Sequence, residues 1–162
     1  MAFPDYVEFI ASLNELNVKY LIVGAHALAY HARPRATKDL DIFIEPTSAN
    51  AKRVLAALKF FFKADTGYQV NDLIEAGTII QLGVAPVRID LMTQISGFLD
   101  FGDAWRNRIE GGFGSVRAHF IGFDDLIKAK EAADRPQDRA DVRVLKKVRE
   151  KLKGKRGRKR GR

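Results

Sequence analysis

Residues 20–44 read YLIVGAHALAYHARPRATKDLDIFI, and the order of elements inside this stretch sets the architecture. Val18 to Val23 is a short apolar run of strand type. Gly24 interrupts it, AHALAYHA over 25–32 has the spacing of a short helix, and RPRATK is a basic loop. DLDIFI then alternates as a strand, with Leu40, Ile42 and Ile44 on one face and Asp39 and Asp41 on the other. A strand that runs through glycine into a helix leaves the first N–H groups of that helix without intrahelical partners. Such a corner is an anion site, and the missing Cβ of Gly24 lets a phosphate come close to the main chain.

A second apolar run, VRIDLMT over 87–93, repeats the pattern, with Val87, Ile89 and Leu91 inward and Asp90 outward. A charge inside a strand needs a physical reason. Two carboxylates about 4 Å apart repel by roughly 4 kcal/mol at an effective dielectric near 20. Three that converge must shift their pKa values or share bound cations, and oxygen-only ligands suit Mg2+ or Mn2+ rather than zinc. Asp-x-Asp by itself is more often a turn or cap. Separated from the Gly24-Ala25 pair by thirteen residues, and with a third aspartate in a later strand, the same motif reads as a metal site.

These residues resemble the nucleotidyltransferases of the DNA polymerase β superfamily. Their shared pattern is a glycine followed by Gly or Ser at a strand–helix turn, a spacer, Asp-apolar-Asp/Glu-apolar, and a third acidic residue on a later strand. Here the corresponding residues are Gly24-Ala25, Asp39-Leu40-Asp41-Ile42 and Asp90. GAHALAYHARPRATKDLDI, TIIQLGVAPVRIDLMTQISG and DDLIKAKEAADRPQDRADV are similar to a subgroup of small bacterial members related to abortive-infection and toxin–antitoxin transferases. The resemblance covers most of residues 18–145. One position departs from it: Ala25 keeps a backbone N–H but has no hydroxyl for the triphosphate.

The resemblance implies a palm-like mixed sheet flanked by helices, and transfer of a nucleoside monophosphate from an NTP to an acceptor hydroxyl. It implies two Mg2+ or Mn2+ ions on Asp39, Asp41 and Asp90, with Asp90 also accepting the nucleophile's proton. It places the triphosphate on Gly24 and Ala25 and brings Lys130 and Arg135 into the same cleft, oriented by Asp138 or Asp141. Arg35, Thr37 and Lys38 stand just before the Asp strand, where they can meet phosphate or acceptor. His26 is placed to cap or pack near the turn or to touch a phosphate. His26 and His31 lie five apart, roughly 140° around a helix, and so make no zinc face.

Composition bounds the rest. A chain of 162 residues, 46% hydrophobic, can bury one ordinary core. No apolar run approaches the ~20 residues of a membrane span, MAFPDYVEF lacks a signal-like start, and a cytoplasmic location is expected. The absence of cysteine excludes disulfides, cysteine-ligated zinc and thiol catalysis. The net charge of +8 belongs to the end: residues 151–162 hold eight of the 28 basic residues and no acid, leaving 20 bases against 20 acids.

Outward from the central stretch, Val7, Ile10, Leu13 and Leu16 predict a helix from Pro4. Val54, Leu55, Leu58 and Phe62 predict another, begun near Pro46 and capped by Thr47 or Ser48. TIIQLG and VRIDLMT pair across VAP, GFLDFGDAW is a short helix, and NRIEGGFGSVRAHFI is a hairpin turning at Gly111-Gly112. FDDLIKAKEAAD begins a helix whose first turn is acidic; a break at Pro136 and a last helix follow. The sum is an α+β (α/β) domain over 1–152 with a flexible, disordered basic tail over 153–162. The arm over 151–162 suits a polyanion such as a transfer RNA, without base stacking because it holds no aromatic residue. It equally suits a purely solubilising tail.

The acceptor stays open among RNA, protein and small molecules, since fold does not choose between them. Two other functions compete: a catalytically silent nucleotide- or partner-binding module, such as an antitoxin partner, and a basic nucleic-acid-binding protein using the domain as scaffold.

Overall fold

The strand–glycine–helix–strand segment forms the middle of a six-stranded mixed sheet with helices on both faces. The computed structural model describes residues 4–84 and 86–161. In chain order they form α1 (Pro4–Glu15), β1 (Tyr20–Val23), α2 (Gly24–His31), β2 (Asp39–Ile44), α3 (Ser48–Phe62) and a 3-10 turn at Val70–Leu73. Then come β3 (Ile79–Val84), β4 (Val87–Met92), α4 (Phe101–Arg106), β5 (Ile109–Phe113), β6 (Val116–Phe120), α5 (Phe123–Ala133) and α6 (Pro136–Arg160). The strand order is β3-β4-β2-β1-β6-β5. β1 pairs antiparallel with β2 and parallel with β6, and β2 pairs parallel with β4. The outer hairpins β3/β4 and β5/β6 are antiparallel.

The alternation in β2 sorts its side chains as expected. Leu40, Ile42 and Ile44 join Ile89 and Leu91 under α1 and α3, against Tyr6, Phe9, Ile10, Leu13, Val54 and Leu58. Phe43, on the aspartate side, enters a second core with Leu21, Leu28, Phe101, Leu126, Ile127 and Leu145. Both faces of the sheet are therefore covered, and Asp39 and Asp41 occupy the end of the second face rather than open solvent. Thr47 is the cap of α3, accepting a hydrogen bond from Asn50 N–H at 3.2 Å. Asn50 is itself buried and satisfied three ways, by Lys19 N–H, Lys19 C=O and Glu45 C=O, which ties the start of β1 to the end of β2.

Three expectations need correction. The β5/β6 hairpin turns at Gly114-Ser115, not at Gly111-Gly112, which lie inside β5. Gly111 is glycine for packing: a Cβ there would run into the ring of Tyr30, which stacks on Phe120 at 4.2 Å. The break between α5 and α6 falls at Asp134, whose φ is 52°, and Pro136 is the first residue of α6 rather than the break. Finally, the basic end continues α6 as helix to Arg160, crossing the boundary expected at 152/153. Lysine and arginine are good intrinsic helix formers and extend a helix already anchored upstream. From Lys151 to Gly161 every residue is exposed, as a segment without an apolar face requires. Among the described residues no helix is long and apolar enough to cross a membrane.

Candidate active site

Strand register assembles the site. Val23, the last residue of β1, pairs with Asp41 on β2, and Asp41 pairs in parallel with Asp90 on β4. Residues opposite one another in register present side chains to the same face. Asp41 and Asp90 are thus neighbours, with Asp39 one pleat away opposite Arg88. Gly24 follows directly, at φ +64°, and a Cβ on it would overlap Asp41 Oδ2. The glycine is required first by the carboxylate and only secondarily by any phosphate. Gly24→Ala should lower stability by about 1–3 kcal/mol and displace Asp41. Urea denaturation checks this; an alanine variant as stable as the parent contradicts it.

Burial, then the charges of Asp90 and Asp39, push the Asp41 pKa up to about 6, while Arg135 and Arg88 pull it partly back. Asp90 is only 6% exposed and accepts two hydrogen bonds from Arg88, from Nε and Nη2, both at 3.1 Å. Arg88 Nε also lies 3.3 Å from Asp39 Oδ1. A single guanidinium thus supplies the positive charge between two of the three carboxylates. Tyr6, from the first turn of α1, donates its hydroxyl to the carbonyls of Lys38 at 3.0 Å and Arg88 at 3.1 Å. It holds the starts of β2 and β4 at the spacing the carboxylates need. Neither Arg88 nor Tyr6 was singled out from the sequence. Arg88 had a legible signal, since two residues before Asp90 on a strand means the same face.

Beside Asp41 opens a cavity of about 400 Å³. Gly24, Asp41, Lys130, Arg135 and Asp138 form its polar end, and Ile79, Met92, Ile95 and Leu126 its apolar wall. A family model described as a nucleotidyltransferase of unknown function (DUF6036) matches residues 5–152. The chain belongs to this family. The match runs from α1 into α6 and takes in every residue of the carboxylate cleft. No curated protein matches the chain.

In this nucleotidyltransferase the α5–α6 corner closes the cleft through a buried ion network. Lys130 Nζ lies 2.9 Å from Asp141 and 3.7 Å from Asp138, all three nearly inaccessible to solvent. Arg35 reaches Asp141 at 3.1 Å and Arg135 Nε reaches Asp138 at 2.7 Å. Burial alone would raise the Asp138 pKa, but the hydrogen bonds and charge of Arg135 hold it below the ordinary carboxylate value. The expectation that Asp138 and Asp141 orient the basic residues therefore matches the geometry. Lys130 is fully engaged by carboxylates, and Arg135 is the cation whose field reaches Asp41.

The other expected contacts divide. Ala25, His26, Arg35 and Thr37 line a separate cleft of about 560 Å³ along the other side of α2, with Tyr30 and Phe113. His26 packs edge-on to Tyr6 and Phe113, at 5.5 and 5.7 Å between centroids, and burial lowers its pKa. Thr37 Oγ1 accepts from the Asp39 N–H at 3.3 Å, shaping the loop rather than facing the cavity. Lys38 is exposed and meets the site through its carbonyl alone. His31 is a packing residue, its Nε2 2.7 Å from the Ile121 carbonyl.

Among the described residues no three His, Cys, Asp or Glu side chains are arranged to hold a metal ion. The donor chemistry of Asp39, Asp41 and Asp90 nonetheless suits a hard divalent cation. Burial first, and then the neighbouring carboxylates, raise the Asp41 pKa, and a cation at the site would oppose both.

Proposed function

We propose that this protein transfers a nucleoside monophosphate from an NTP to an acceptor hydroxyl, as in the polymerase β superfamily it resembles. The observation that carries the reading is the pairing of Asp41 with Asp90 in register beside the Gly24 corner. Asp39, Asp41 and Asp90 would hold Mg2+ or Mn2+, with Arg88 turning away from Asp39 and Asp90. Bound there, such ions neutralise triphosphate charge and activate the hydroxyl.

The rest is work for the chain. The first N–H groups of α2 carry no side-chain cap and are free for the phosphates at the Gly24 corner. Arg135 adds a cation at the polar end of the cavity, whose apolar wall receives the nucleoside. The acceptor oxygen bonds to the α-phosphorus, the bond to the bridging oxygen breaks and pyrophosphate leaves. The hydroxyl proton passes to a carboxylate. Asp90, whose two oxygens are freed once Arg88 turns away, takes it. The acceptor is an RNA, protein or small-molecule hydroxyl. A cytoplasmic toxin–antitoxin setting, with the basic end of α6 recruiting RNA, belongs to the same proposal.

A second reading has its own support. Arg88 bridges Asp39 and Asp90 where an ion would sit between them, which suits a silent nucleotide-binding module. Incubation with each α-labelled NTP, Mg2+ or Mn2+ and total cell extract separates the two. Covalent label on RNA, protein or a small molecule supports transfer. A thermal shift with NTP and Mg2+ but no label supports the silent module; neither response ends both.

A further inference from the structure

At the end of β1 remote from Gly24 lies a pocket of about 560 Å³ that shares no residue with the carboxylate cleft. Lys19, which precedes β1 and faces Glu45, lies about 16 Å along the strand from Gly24. The pocket collects Lys19, Arg53, Arg108, Arg117 and His119 around Trp105, and among the described residues Glu110 is its only lining acid. Five separate segments contribute these groups, so their convergence is tertiary and not a run of charge in the chain. Outside residues 151–162 the bases and acids balance, 28 minus 8 against 20, so the cluster does not reflect a general excess.

Lys19, Arg108 and Arg117 are held in place, Arg117 by donating to the Glu110 carbonyl at 3.3 Å, while Arg53 is exposed. The Arg108 guanidinium sits 3.9 Å over the Trp105 ring and donates to the Trp105 carbonyl at 3.0 Å. Lys19 Nζ lies 5.9 Å from the same ring and His119 packs 5.0 Å from it. Like charges gathered this way repel one another, and the acids nearby do not cancel the excess. Glu45 goes to Lys19 at 3.5 Å, and Glu110 is 4.0 Å from Arg108 and 3.5 Å from His119. Among the described residues neither Arg53 nor Arg117 pairs with a carboxylate. Arg108 Nε, buried in the same wall, makes no hydrogen bond, and His119 Nδ1 has only the 3.5 Å approach of Glu110. Burial lowers the His119 pKa, which leaves the ring neutral and able to donate or accept. Because Trp105 is covered by Arg108 on one side and stacked with Phe101 at 5.6 Å, base stacking is not on offer. What the pocket offers is a preorganised set of N–H donors and positive charge.

We propose that this pocket binds a phosphate group, either free phosphate or a phosphate of a nucleic-acid backbone. Trp105 is the single tryptophan of the chain, so its fluorescence reports on this pocket alone. The full-length protein in EDTA would be titrated with inorganic phosphate, inorganic sulfate and a short single-stranded oligoribonucleotide. A saturable change with phosphate identifies a free-phosphate site; a change with the oligoribonucleotide only identifies a backbone site. Arg53→Gln and Arg117→Gln should each weaken the response about tenfold. Asp41→Asn should leave it unchanged, so the outcome is independent of whether the carboxylate cleft transfers nucleotides. No change with phosphate or the oligoribonucleotide, or equal affinity in the Arg53→Gln/Arg117→Gln double variant with its fold confirmed by circular dichroism, overturns the proposal.

Discussion

Asp41→Asn should make this protein more stable at pH 7.5 while reducing nucleotidyl transfer by a factor on the order of a thousand or more. The folded protein holds the Asp41 pKa near 6, above its ordinary value of 3.8. The folded state therefore binds this proton more tightly than the unfolded chain. The resulting stabilisation is complete below the unfolded pKa and is lost as pH rises through about 6. Because the pKa rises from 3.8 to about 6 on folding, ionisation at pH 7.5, above both values, costs the folded state up to ~3 kcal/mol. Asparagine has nearly the same shape and no charge, so it removes that cost. Thermal melts of parent and variant at pH 4 and pH 7.5 measure the effect, and the gain should appear only at the higher pH. Mg2+ should raise the midpoint of the parent at pH 7.5 and that of the variant much less. An asparagine variant less stable than the parent at pH 7.5 would mean that Asp41 is already neutralised by Arg135 and Arg88, and that no cation is wanted there.

Lys130→Met is expected to cost about 3 kcal/mol or more. Asp138 and Asp141 are 3% and 2% exposed, and Lys130 is the cation shared by both. Methionine fills the volume but leaves two buried carboxylates with only Arg135, Arg35 and Gln137. Because Asp141 also anchors Arg35, loosening it frees the loop that leads into Asp39, and transfer should fall with stability. The double variant Lys130→Met/Asp141→Leu discriminates. Removing both members of a buried pair recovers much of the stability, but Arg35 has then lost its partner and transfer stays low. Chemical denaturation gives the stability and a labelled-NTP assay the activity. A loss below about 1 kcal/mol for Lys130→Met would show that the network is worth little.

Much of this was readable without coordinates, for reasons that are local. Two-residue alternation assigned Leu40, Ile42 and Ile44 to one core and Asp39 and Asp41 to the other side. Apolar spacing found α1 and α3, the acidic first turn marked the start of α5, and the choice of cap at Thr47 or Ser48 was already down to two residues. The errors came where a local signal had a distant cause. Gly111-Gly112 looks like a turn, but the space Gly111 leaves empty is taken by Tyr30, 81 positions earlier in the chain. The basic end looks unstructured by composition, yet it continues a helix anchored by Val142 and Leu145.

The chain by itself determined which residues carry charge in apolar strands and which helix follows which strand, because side-chain period and glycine placement act over a few residues. Only the tertiary structure decided that β2 and β4 lie parallel and in register, so that Asp41 faces Asp90. It alone put Arg88 between the carboxylates, sent His26 to the other side of α2, and gathered Lys19, Arg53, Arg108 and Arg117 around one tryptophan. Strand order and register come from the packing of two cores at once, and no window of sequence contains both.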